Sequence, residues 1–179
     1  VVASEAHHAG LRACVAEFFP QAQVHFVIGG AERQDSVANG LAALDADTAI
    51  VAIHDAARPF VPVAAILASI AAAAEHGGAT VAIKSIDTIL EGDGAGFLVA
   101  TPDRSRLWAC QTPQTFRVEV IRAAYAHARA EGFLGTDDAT VVRRAGGTVQ
   151  LIEGSAYNFK VTTPSDHAIA ELLVREGLV

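Results

Sequence analysis

An α/β sandwich around a mainly parallel sheet is the fold class this sequence predicts, and three observations predict it. Short runs of Val and Ile are nearly continuous rather than alternating, as in strands covered on both faces. Between them lie stretches with apolar residues at helical spacing. The two periodicities take turns along the chain, which signals strand–helix alternation rather than separate helical and sheet regions. The 179 residues, 51% of them hydrophobic, suit a single domain spanning 1–179, with enough chain to bury a core.

The apolar runs predict strands over Val24 to Ile28, Thr48 to Ile53, Ala79 to Ile83 and Val149 to Ile152. Leu11, Val15 and Phe18 place a helix over Glu5 to Phe19. Val37, Leu41 and Leu44, at i, i+4 and i+7, place a second after Asp35. Pro62 to His76 reads as a helix with Pro in its first turn and a stop at Gly77-Gly78. Val118, Ile121, Tyr125 and Ala128 mark another, ending at Gly132. The last opens with Thr163 as N-cap, Pro164 at the first position and Asp166 at the third. Residues 85–111 break the rhythm, with β-branched residues, no helical stripe and a Gly92-Asp93-Gly94-Ala95-Gly96 tip. Thr88 to Glu91 and Phe97 to Thr101 are expected to pair there as a protruding β-hairpin arm of the kind that clasps a partner.

The balance of 13 basic against 20 acidic residues, a net charge of −7, argues against nucleic acid or an anionic membrane as partner. No apolar run approaches the roughly 18 residues of a membrane helix. Cys14 and Cys110 lie far apart without a CxxC. They read as thiols of a reducing compartment or as small buried hydrophobes, and the cytoplasm is the expected location. The absence of Met and the strand-like Val1-Val2-Ala3 opening suggest that a segment once preceded residue 1.

Ligands of open α/β sheets bind beyond the carboxyl ends of the strands. After Val24 to Ile28 come Gly29-Gly30, which let a ligand approach the backbone, and Ser36 near a helix start; spacing alone favours a plain turn with a capped helix. After Thr48 to Ile53 comes His54-Asp55-Ala56-Ala57-Arg58-Pro59. Its Asp is suited to Mg²⁺ or a ribose hydroxyl and its Arg to a phosphate, or the pair forms an Asx-turn with a surface ion pair. Lys160, one of only two lysines, lies among apolar neighbours, a costly place without an anionic partner; the alternative is a surface lysine whose head snorkels to water. Walker, dinucleotide, GxSxG and zinc patterns are all missing. Loop-borne cations in an acidic protein point to a phosphorylated small molecule together with Mg²⁺ or another divalent cation.

Seven segments then occur in order: residues 29–36 (GGAERQDS), 54–59 (HDAARP), Asp87-Thr88, 101–108 (TPDRSRLW), 111–114 (QTPQ), Thr136-Asp137 and 158–162 (NFKVT). Over essentially the whole chain this pattern resembles the 2-C-methyl-D-erythritol 4-phosphate cytidylyltransferases, and ribitol-5-phosphate cytidylyltransferases share much of it. The resemblance implies a three-layer nucleotidyltransferase fold, Rossmann-like and similar to glycosyltransferase A. It also implies CTP and a sugar-alcohol phosphate as substrates and a homodimer formed through the arm. Gly30 and Ser36 would read the cytosine, with Asp55 and Ala56 near the ribose and the metal. Arg104 and Lys160 would act on the sugar phosphate, helped by Arg58, Thr88 and Thr136, and the arm would carry Thr88 and Arg104 into the neighbouring subunit's site.

The family's glycine-rich loop and its following lysine are not found, so the domain is expected to lack an N-terminal segment. Ala31, Lys84 and Leu90 also depart from the family pattern, and Lys84 is not expected to be catalytic. A non-catalytic dimerising or binding role is the alternative that this loss raises.

Overall fold

The structure is a computed structural model describing residues 1–179. Its backbone falls into two compact units, residues 1–51 with 117–147 and residues 52–116 with 148–179. Each unit takes two segments of chain.

The first unit holds β1 (Val2–Ala3), α1 (Glu5–Phe18), β2 (Val27–Ile28), α2 (Arg33–Ala42), α4 (Val118–Glu131) and α5 (Asp138–Arg144). β1 and β2 pair in parallel. The strand expected from Val24 is confined to its last two residues. α2 begins before Asp35 because Glu32 is its N-cap, and Glu32 and Asp35 form a reciprocal capping box. α4 stops at Gly132, which takes a left-handed conformation (φ 64°) that closes the helix. Leu41, Val118, Ile121, Ala124, Ala128, Val141 and Val142 are among the buried apolar residues of this unit.

α5 has no counterpart among the sequence expectations. Its seven residues are too few to show a helical stripe, and only the N-cap Asp137, whose side chain accepts from the Thr140 amide, announces it. Asp138, fully buried, receives both terminal nitrogens of Arg33 at 3.0 and 2.6 Å and the Tyr125 hydroxyl at 2.5 Å. Burial and then the Asp138 charge push the Tyr125 phenol far up, so it stays a donor.

The second unit holds α3 (Val63–His76), β4 (Gly78–Lys84), β5 (Glu91–Gly92), β6 (Leu98–Ala100), β8 (Gln150–Glu153) and α6 (Pro164–Arg175). It also holds nearly all of β7 (Trp108–Arg117) and the end of β3 (Ile50–Ile53). Four strands form a sheet in the order β3-β7-β4-β8. β4 runs parallel to β8 and antiparallel to β7, so the mainly parallel expectation holds, with β7 as the reversed strand.

β7 was not expected as a strand, because Gln111, Thr112, Gln114 and Thr115 are polar and Pro113 cannot donate to a ladder. All four polar residues are nevertheless buried. The ladder accommodates Pro113 at an irregularity: Thr80 faces Gln114 and Ala82 faces Cys110, so three residues of β7 oppose Val81 alone. The arm is shorter than 85–111 by the same token, since Trp108 to Gln111 belong to the sheet.

α3 packs on β4 and β8 through Ala65, Ser69, Ala72 and Ala73. These small residues allow close approach, and the Ser69 hydroxyl meets that of Thr115 at 2.8 Å. Pro62 is the N-cap rather than the first helical residue of α3. α6 opens with the expected capping box between Thr163 and Asp166. The hairpin of β5 and β6 is narrower than its predicted strands, and Asp93 ties its tip by accepting from the Ala95 and Phe97 amides. Lys84 stands over the Trp108 ring at 5.5 Å. Cys14 and Cys110 form no disulfide and are exposed, not buried hydrophobes. No helix is long and apolar enough to cross a membrane.

Removing the Asp138 carboxylate leaves the Arg33 charge and the Tyr125 hydroxyl without their buried acceptor. We expect Asp138→Ala to cost about 3–5 kcal/mol in urea unfolding and Tyr125→Phe about 1–2 kcal/mol. Losses of equal size would mean the guanidinium takes no part in the network.

Candidate active site

The second unit brings three of the sequence candidates to one point. β3 ends at Ile53, and the chain turns at once, with the Arg58 amide donating to the Asp55 carbonyl at 3.0 Å. This turn lets Arg58 reach back to its own neighbour, placing Nε 3.3 Å from Asp55 Oδ2. Lys160 Nζ lies 3.0 Å from the same oxygen. Asp55 is thus the anionic partner that the setting of Lys160 required.

The two cations are committed to different degrees. Arg58, with its side chain only 11% exposed, also donates to the Asn158 carbonyl at 2.7 Å and to the Cys110 carbonyl at 3.4 Å. Most of its fork is taken up by the protein, which leaves it a fixed positive charge. Lys160 is half exposed. An ammonium has three donors, and contact with Asp55 leaves donors for an incoming anion.

Burial acts to raise the Asp55 carboxyl, but the hydrogen bond and charge of Lys160, with Arg58 behind them, outweigh it and hold the group below the usual carboxylate range.

Asn158 holds the two loops together. Fully buried, it donates through Nδ2 to the Gln111 side chain at 3.1 Å and to the Thr112 carbonyl at 2.9 Å. Gln111 in turn donates to the Ser155 carbonyl at 2.8 Å. Gly154 is required beside them, because a Cβ there would run into the Gln111 side-chain oxygen and Val81. Asn158 Oδ1 is the one buried side-chain oxygen or nitrogen without a partner. Gln111, Thr112 and Asn158 lie in the motif segments 111–114 and 158–162 but carry no role in the sequence reading, because nothing local shows that these polar residues are buried.

The remaining candidates lie elsewhere. Ala56 is exposed in the turn after Asp55. Thr88 and Arg104 are exposed on the arm, where Arg104 donates to the Ile86 carbonyl at 2.9 Å. Gly30, Ser36 and Thr136 belong to the first unit. There the Ser36 hydroxyl accepts from the Gly30 amide at 3.0 Å and donates to the Glu32 carbonyl at 3.1 Å. Gly30 is required because any Cβ would collide with Asp35. Thr136 is exposed just before the N-cap of α5.

No group of three or more His, Cys, Asp or Glu side chains is placed to hold a metal ion. A lone carboxylate beside two cations still fits Mg²⁺, which is commonly held by one or two carboxylates together with water and substrate phosphates.

Comparison with known proteins bears on what such a site serves. The profile of the 2-C-methyl-D-erythritol 4-phosphate cytidylyltransferase family matches residues 2–176. The chain belongs to that family. It is 46% identical to the cytidylyltransferase of that name from Geotalea uraniireducens, over 98% of this chain and 76% of the relative. With the Bacillus velezensis enzyme of the same name it shares 42% identity over 98% and 75%. The crystal structure of 4-diphosphocytidyl-2C-methyl-D-erythritol synthase from Anaerococcus prevotii superposes with a TM-score of 0.88 at 28% identity, covering 97% of this chain and 77% of that one. That of the Thermus thermophilus cytidylyltransferase gives 0.75 at 36%, covering 87% and 78%. The expected nucleotidyltransferase fold is borne out by these likenesses.

A carboxylate held low by its partners stabilises the fold above the ordinary carboxylate pKa, and that contribution is lost as pH falls through the lowered value. The stability gap between wild type and Asp55→Asn should therefore be widest near neutrality and close below about pH 4. Urea midpoints along an acid series test this, and a gap constant to about pH 2 would contradict the pairing.

Proposed function

We propose that this protein transfers the cytidylyl group of CTP to 2-C-methyl-D-erythritol 4-phosphate. The products are 4-diphosphocytidyl-2-C-methyl-D-erythritol, used in isoprenoid precursor synthesis, and pyrophosphate. Membership of the family supports this reading, and the observation that carries it is the convergence of Arg58 and Lys160 on Asp55.

A phosphate monoester is largely dianionic at neutral pH, so its attacking oxygen needs no general base. That oxygen forms a bond to the α-phosphorus of CTP. The bond from this phosphorus to the bridging oxygen breaks, and its electron pair leaves with pyrophosphate. The protein's task is alignment and charge neutralisation.

Lys160, with donors to spare, holds the sugar phosphate, and Arg104, exposed on the arm, presents a second cation. Arg58 adds a fixed charge, with Thr88 and Thr136 as further donors. Gly30 and Ser36 take the cytosine, and Asp55 and Ala56 lie by the ribose. Asp55 would be the protein ligand of Mg²⁺ or another divalent cation, which supplies charge stabilisation at the triphosphate when bound. Residues 1–179 work as one cytidylyltransferase domain in the cytoplasm.

Pyrophosphate release with CTP and Mg²⁺, with methylerythritol phosphate or ribitol 5-phosphate as acceptor, tests the reading. Turnover should favour methylerythritol phosphate, and Lys160→Ala should lower it by roughly 100-fold in a protein that still folds, less only the stability its pairing with Asp55 contributes. Turnover with ribitol phosphate alone would reassign the acceptor. CTP binding without turnover on either would point to a binding role.

The arm also supports a homodimer. Ile86, Leu90, Phe97, Leu98 and Val99 are all more than 60% exposed on it, an apolar surface that a second copy would cover. Phe97→Ser with Leu98→Asp should shift sedimentation to the monomer and cost activity if Arg104 serves the partner's site. A double variant that remains dimeric would place the interface elsewhere.

A further inference from the structure

The residue that opens the active-site turn has a task of its own. His54 is exposed and touches none of the charged side chains at the site, yet both of its ring nitrogens are engaged. Nε2 lies 2.9 Å from the Arg58 carbonyl, and Nδ1 lies 2.9 Å from the Thr112 hydroxyl. The same hydroxyl accepts the Asp55 amide at 3.0 Å.

These partners determine where the protons sit. A carbonyl can only accept, so Nε2 carries the ring proton of the neutral imidazole. Nδ1 is then an acceptor, and the Thr112 hydroxyl, already accepting from Asp55, directs its own proton to it. The chain of donors runs one way: Asp55 amide to Thr112 hydroxyl to His54 ring to Arg58 carbonyl. The Arg58 amide closes the loop on the Asp55 carbonyl at 3.0 Å.

We infer that His54 is a positioning residue that braces residues 54–58 against β7 and so sets where the Asp55 carboxylate and the Arg58 guanidinium stand. The brace works on the backbone of the two residues whose side chains meet Lys160. Without it the turn keeps its Arg58–Asp55 backbone bond, the Asp55–Thr112 contact and the Val161 amide on the Ala57 carbonyl, and the Arg58 backbone loses its tie to β7. The Arg58 carbonyl then has lost its side-chain donor, and the backbone from which the guanidinium reaches Asp55 and the Asn158 carbonyl is less firmly placed. Placement errors on the order of 1 Å at a site that works by alignment cost up to about 100-fold in rate.

The inference rests on the cytidylyltransferase reading, and its test separates the two. His54→Ala and His54→Leu should each lower kcat/KM for the sugar phosphate by roughly 10- to 100-fold, with the thermal midpoint changed little. His54→Gln, whose amide can still donate to the Arg58 carbonyl, should recover a large part of that loss. Wild-type rates in all three variants, or Gln no better than Leu, would overturn the brace. Imidazole ¹⁵N resonances of the unaltered protein supply a readout independent of turnover. The Nε2-protonated tautomer is expected, and the Nδ1-protonated tautomer would refute the arrangement. A wild type inactive on either sugar phosphate would sink the functional reading, while the tautomer would still decide the brace.

Discussion

One buried amide governs the geometry of the second unit. Asn158 has no exposure, and its nitrogen bridges the Gln111 side chain and the Thr112 carbonyl of β7. Through that bridge the irregular stretch after β8 is held against the middle of the sheet. Its carbonyl takes the Arg58 guanidinium, and two residues on, Lys160 arrives beside Asp55. A buried polar group without partners is costly, so each member of this network constrains the next. The charged site is a consequence of satisfying hydrogen bonds in the interior.

The electrostatics follow the same logic. In a protein of net charge −7, concentrating two cations at one carboxylate needs a scaffold that holds them in place. Arg58 is placed by two carbonyls as well as by Asp55, whereas Lys160 keeps its exposure and its freedom. This division suits a site that must hold one positive charge fixed while offering another to a substrate phosphate. Preorganisation of this kind lowers the reorganisation needed when charge builds up in a transition state.

The first unit solves a comparable problem by other means. Asp138 opens α5 with its carboxylate in the interior, where Arg33 from the start of α2 and Tyr125 from α4 neutralise and bond it. Three helices are thereby referenced to one carboxylate. The tight Gly29-Gly30 approach to α2 is part of the same construction, since Gly30 leaves room for Asp35, whose carboxylate caps that helix.

Periodicity and punctuation were enough to read the alternating elements, the capping box of α6, the stop of α4 and the glycine-tipped hairpin, because these depend on neighbours a few residues apart. The same local signals marked Asp55, Arg58 and Lys160 as candidates, and Lys160 as needing an anion. β7 and α5 escaped: one is a polar strand interrupted by Pro113, the other a helix too short to show a stripe. Both are stabilised by contacts between residues distant along the chain. Tertiary structure alone decided that Asn158 joins Gln111, that His54 reaches Thr112, and that Arg58 is committed while Lys160 is available. Hydrogen bonds across 46, 47 and 58 residues leave no periodic trace, because what selects them is the burial of polar groups, and only the folded chain shows which groups are buried.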